Sequence, residues 1–216
     1  MLSPERIEQL QLAFTRTLAV FDVPVARAYP LFDQLVAAHE HPDRHYHNLE
    51  HLYEMFRVVG KLASHTTDLT AVQLAVWFHD AVYDPRAKDN EEQSAEFAAK
   101  SLLALNVPEP RIAIVQQLIL ATKHTDIAIV DANTEVLLDA DLAILGASEE
   151  RYRRYAKAIR QEYHFVAEAD YRAGRTKVLE MFLTRPRVYR THMMHEMGDE
   201  PARRNLREEI TKLKSE

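Results

Sequence analysis

The chain contains no cysteine among its 216 residues, which excludes disulfides, thiolate zinc sites and a cysteine nucleophile. Any metal must therefore be held by nitrogen and oxygen. Only four glycines are present, too few for the many tight turns of a strand-rich fold, so helices are favoured. No apolar run approaches the roughly 20 residues needed to cross a bilayer, and the opening Met1-Leu2-Ser3-Pro4-Glu5-Arg6 lacks a basic-then-apolar leader. The expectation is a cytoplasmic protein with no membrane partner. Excess positive charge is missing too. A net charge of −6 speaks against general nucleic-acid binding, which rests on clustered Lys and Arg. A small anionic substrate needs only a few local cations.

What is present reads as helix. Ser3 and Pro4 form a start signal for a helix to about Val20, and Pro24 opens a second, to about His39. A third begins near Asn48, since Leu49, Leu52, Tyr53, Phe56 and Ala63 follow a single apolar face. Thr70 with Gln73 resembles a capping box for Ala71 to Phe78, and Asp89 with Glu92 another for Glu91 to Leu105. Pro108 and Pro110 punctuate the next helix, after which Lys123 to Asp131 is expected to connect. Further helices are expected at about 133–145, 148–172, 174–184 and 200–214. Without repeats or linker-like stretches, residues 1–216 are expected to form one domain.

Histidines crowd the stretch from His39 to His79, above all in Arg44-His45-Tyr46-His47-Asn48-Leu49-Glu50-His51. If helical geometry includes position 47, His47 and His51 project from one face and can share a metal or a substrate; otherwise they are a solvated polar face. In Leu74-Ala75-Val76-Trp77-Phe78-His79-Asp80, two polar residues close a run apolar enough to be buried all round. A buried carboxylate must be paired or coordinated, and a divalent cation serves both neighbours. The alternative is a core helix closing at a wet edge. In Leu137-Leu138-Asp139-Ala140-Asp141-Leu142, the aspartates are two apart and point to nearly opposite sides of a helix, so one can face a metal while the other caps, pairs or meets solvent. Such nitrogen and oxygen donors suit Mn, Fe, Zn or another divalent ion.

The order His, then His-Asp, then Asp resembles the metal set of the HD superfamily, and Tyr46-His47-Asn48 with His51 is similar to the motif of cyclic-nucleotide phosphodiesterases. That resemblance implies His51, His79, Asp80 and Asp141 as metal ligands. Asp141 is preferred over Asp139 because Ala140-Asp141-Leu142 matches a late Ala-Asp-Leu segment. It also implies His47 as the acid that protonates the leaving oxygen. A longer likeness, over nearly the whole chain, is to a bacterial group of predicted metal-dependent HD phosphohydrolases. It includes Phe78-His79-Asp80-Ala81-Val82-Tyr83, Asp89-Asn90-Glu91 with Ser94, and Ile159-Arg160 with Glu162-Tyr163. The implied fold is all-α, a single-domain HD-type helical bundle. The implied activity is hydrolysis of a small phosphate ester, a nucleotide by analogy, through metal-activated water oriented by Asp80 or Asp141. The cofactor is a divalent ion among Mn, Fe, Zn, Mg, Ni and Co.

Arg44, Lys123 and Arg160 flank or lie within these motifs and are candidates to meet substrate charge, with Tyr163 beside Arg160. Each is equally readable as a surface charge. His124 can extend the site toward a second metal or a phosphate, or be structural. Glu91 can approach the metal through water, or simply support its helix start. Two rival readings stay open: an HD-type diiron oxygenase, for which His47 and His124 are further ligands, and a non-catalytic module that senses a nucleotide. A homo-oligomer is left open as well.

Overall fold

The computed structural model describes residues 2–124 and 130–215, and within them the chain is all-helical, with no strand. The first helix, α1 (Pro4–Ala19), and α2 (Val25–His39) lie close to their expected bounds. α3 (Leu49–Lys61) starts two residues later than a shared His47/His51 face requires. Asn48 is extended (φ −124°, ψ −175°) and its side chain accepts from the amides of Glu50 and His51. That satisfies two of the orphan donors of the first turn. His47 thus precedes the cap, and the helical spacing between it and His51 does not apply.

α4 (Leu69–Phe78) is buried without a break from Leu74 to Phe78, as the sequence pattern predicts. Its cap, however, is Asp68, whose carboxylate accepts from the Ala71 amide, rather than Thr70. α5 (Asn90–Ala104) follows Asp89, which makes no side-chain capping bond. α6 (Glu109–Ala121) follows Pro108. Most of the expected Lys123–Asp131 connection falls on residues 125–129, outside the described residues. α7 (Ala132–Asp141) is capped by Asp131, and a tight 3₁₀ segment (Leu142–Gly146) follows it.

The helix expected over 148–172 is two helices, α8 (Glu149–Glu162) and α9 (Glu168–Thr184). The break at 163–167 is held by Arg160, which donates to the carbonyls of Tyr163 and Val166 and pairs with Glu168 (2.7, 3.1 and 3.0 Å). α9 runs straight through Gly174, where periodicity suggested a fresh start. The last helix, α10 (His192–Ser215), begins eight residues before the expected 200 and contains Pro201.

Two apolar clusters form the interior. The larger surrounds Trp77, which meets Phe14, Phe32 and Phe56 with ring centroids 5.1–5.7 Å apart. The smaller gathers Tyr152, Leu179, Phe182, Tyr189 and Leu206 beneath the 3₁₀ segment. α3, α4 and α7 pack against one another. α4 and α7 both end at the same place, where the two clusters meet: His79 directly follows Phe78, and Asp141 is the last residue of α7. No described helix is long and apolar enough to cross a membrane.

Candidate metal centre

His51 stands in the first turn of α3, 5% exposed, and His79 closes α4 at 1%. Their Nε2 atoms are 3.3 Å apart. Asp141 Oδ1 lies 3.2 Å from His51 Nε2 and 3.8 Å from His79 Nε2, and Asp80 Oδ2 is 3.0 Å from His79 Nε2. One ligand atom from each of His51, His79 and Asp141 falls within 4.8 Å of the others, a group that could hold a metal ion. Asp80 adjoins the group through His79.

The donor chemistry fits a cation. The His79 Nδ1 atom is 3.0 Å from the Val76 carbonyl. A carbonyl only accepts, so Nδ1 carries a hydrogen and Nε2 faces the cluster, the nitrogen that would ligate a metal in place of a second proton. Burial opposes a second proton on His79, yet the Asp80 and Asp141 carboxylates raise its pKa to about 9. Asp80 and Asp141 are both held below the carboxylate range despite burial, by the facing histidines. Two carboxylates thus demand positive charge where the imidazole nitrogens converge. A divalent ion supplies that charge without protonating its ligands.

The two aspartates diverge as their spacing requires. Asp139, 1% exposed, accepts from the Arg190 and Thr191 amides and the Thr191 hydroxyl at 2.7, 2.8 and 2.7 Å. It ties α7 to the segment before α10 and is fully engaged there. The other oxygen of Asp141, Oδ2, lies 2.7 Å from His124 Nε2. His124 takes a left-handed backbone (φ 52°), and its carbonyl accepts from Arg185 at 2.7 Å.

His47 is placed by a partner 115 residues away. Its Nδ1 lies 2.7 Å from Glu162 Oε2, which also accepts from the Tyr83 hydroxyl at 3.0 Å. Glu162 Oε1 accepts from the amides of Tyr46 and His47 at 2.7 and 3.0 Å. Burial lowers the His47 pKa, but the Glu162 hydrogen bond and the Asp80 charge outweigh it and leave the pKa raised. The sequence named Glu162 only within a motif and assigned it no role. In a helix as rich in charge as α8, nothing local set this glutamate apart from its neighbours.

Arg44 reaches the site as a clamp. Its guanidinium donates to the carbonyls of Asp80 (2.6 Å), Ala81 (3.1 Å) and His47 (3.2 Å), tying the His47 strand of chain to the His79–Asp80 turn. Lys123 pairs with Glu92 at the start of α5, and Glu91 is half-buried beside them. Arg160 holds the α8–α9 break, and Tyr163 stacks on Phe165. No hydrogen bond or ion pair joins Glu91, Lys123, Arg160 or Tyr163 to the His–Asp cluster among the described residues.

A cleft of about 480 Å³ opens onto His51 and Asp141 beside Tyr46, whose ring lies 4.9 Å from His51 and 4.6 Å from Tyr155. The chain matches no protein-family model, no curated protein and no solved structure.

Proposed function

We propose that the protein is a metal-dependent phosphohydrolase that cleaves a small phosphate ester, with nucleotides the leading class. The observation that carries this reading is the convergence of His51, His79 and Asp141 beside the buried His47–Glu162 pair. A divalent cation held there, one of Mn, Fe, Zn, Mg, Ni or Co, supplies Lewis-acid polarisation of a phosphoryl oxygen and a water of lowered pKa.

The chain's own residues do the rest. Asp80 turns Oδ2 to His79, so Oδ1 is the oxygen that can orient an attacking water. His47 engages Glu162 through Nδ1, leaving Nε2 to deliver a proton to the departing oxygen. The raised His47 pKa keeps that proton in place near neutral pH, the condition a general acid requires. Arg44 holds these two devices in register through three carbonyls.

The test is turnover of a panel of nucleotides and generic phosphoesters by manganese-reconstituted protein, with Asp80→Ala as control. Phosphate release that the substitution abolishes supports the reading. A metal-loaded protein that releases none from any ester sinks it. The contact between His124 Nε2 and Asp141 Oδ2 favours a second reading, an oxidative centre with two irons sharing Asp141. Two irons per chain with oxygen uptake and no phosphate release would identify that case.

A further inference from the structure

The cleft beside the metal centre runs along α3. His51, Glu54, Val58 and Lys61 line one wall, all from α3. Their spacing places them on a single helical face, and Lys61 stands about 15 Å along the axis from His51 at ~1.5 Å per residue. The rest of the lining includes apolar side chains: Ile144 from the 3₁₀ segment, and Met193 and Met197 from the start of α10, which are 44% and 69% exposed. Exposed, flexible methionines are adaptable apolar surface.

Charged side chains line the cleft as well, among them Arg154, which pairs with Glu150 at 2.7 Å. The near end carries Glu50 and Asp141. In the middle, Arg57 and Arg151 are both engaged by Glu54, at 3.0 and 3.2 Å. Lys61, the last residue of α3, is exposed and forms no ion pair among the described residues. The far end of the cleft therefore presents a cation with no acid of its own.

On the phosphohydrolase reading, we infer that the substrate is an elongated phosphate ester with a second anionic group. Its phosphate lies at His51 and Asp141, its apolar body along Ile144, Met193 and Met197, and its distal acid at Lys61. A short monoester reaches only the near end. A ligand spanning the cleft covers the exposed methionines and neutralises Lys61, and the 480 Å³ volume lies in the range of small-molecule sites, roughly 300–1,000 Å³.

Calorimetric titration of the manganese-loaded protein with phosphonates that carry a terminal carboxylate, on spacers graded from ethylene to dodecylene, tests this without turnover. Affinity should rise with spacer length to a maximum. That gain over methylphosphonate should fall about tenfold on esterifying the carboxylate or in Lys61→Glu, an exposed helix-end change that leaves the core untouched. Affinity that ignores spacer length, or an equal effect of Lys61→Glu on long and short ligands, overturns the inference. If short esters are nonetheless hydrolysed, the phosphohydrolase reading survives that result. Spacer- and Lys61-dependent binding with no ester turned over would sink that reading and keep the elongated ligand.

Discussion

Glu162 satisfies four donors with one carboxylate: two amides, the Tyr83 hydroxyl and His47. Burial works against its charge, but these partners, His47 foremost, lower its pKa from 4.5 to about 2. A depressed carboxylate contributes stability that is complete above its unfolded pKa and disappears as the pH falls through the folded one. Thermal melts from pH 4.5 down to pH 2 should therefore show wild type losing an advantage that Glu162→Gln never has. The same variant should shift the alkaline limb of the rate profile to lower pH. On the proposed reading His47 works as a general acid only while protonated, and the Glu162 hydrogen bond is first among the partners that raise its pKa. The aspartate pair separates two roles by two residues. Asp141→Asn should lower bound metal, read by elemental analysis. Asp139→Asn should retain metal but lose about 1–3 kcal/mol of stability by denaturant titration, since a buried acceptor of three hydrogen bonds is impaired.

At the scale of elements, the site depends on where helices stop. His79 and Asp80 were legible because two polar residues at the end of a fully apolar run have few ways to be satisfied. The spacing of Asp139 and Asp141 told that only one could face a metal, and the local likeness to Ala-Asp-Leu favoured the one that does lie beside His51. Whether His47 shares a helical face with His51 stayed open in the sequence because Asn48 can be a helix interior residue or a cap; it is the cap, and His47 is held instead by Glu162. The break between α8 and α9 was invisible for the same reason: Arg160 reaches carbonyls that helical periodicity does not encode. The 3₁₀ segment after Asp141 is fixed by Tyr189, whose hydroxyl accepts from the Gly146 amide at 2.7 Å and donates to the Leu142 carbonyl at 3.1 Å. Gly198 packs flat on that ring, and a β-carbon there would stand 2.7 Å from Tyr189 Cε2. Tyr189 is fully buried and cannot swing away. Gly198→Ala should cost about 1–3 kcal/mol, measured by chemical denaturation, through forced displacement of packed groups.

Over the whole molecule, His51 and His79 belong to helices of the larger apolar cluster, while Asp141 leads directly into the segment that covers the smaller one. An ion held by all three fastens the clusters together and exists only in the folded chain. Manganese at about a hundred times its dissociation constant should add about 2.7 kcal/mol to unfolding, seen as a rise in Tm that a chelator reverses. Unchanged melting with metal bound would mean that the metal does not prefer the folded chain, against a site assembled from three distant segments. The meeting of α4 and α7 has one more effect. Both helices point their carboxyl ends at the cluster, and the aligned peptide dipoles add negative potential to that of Asp80 and Asp141. Without a cation, a phosphate meets those two carboxyl ends and the Asp80 and Asp141 carboxylates, offset only in part by His79 and the amino end of α3. On the proposed reading binding is ordered, cation first and anion second, and phosphate affinity should rise when the protein is loaded with manganese.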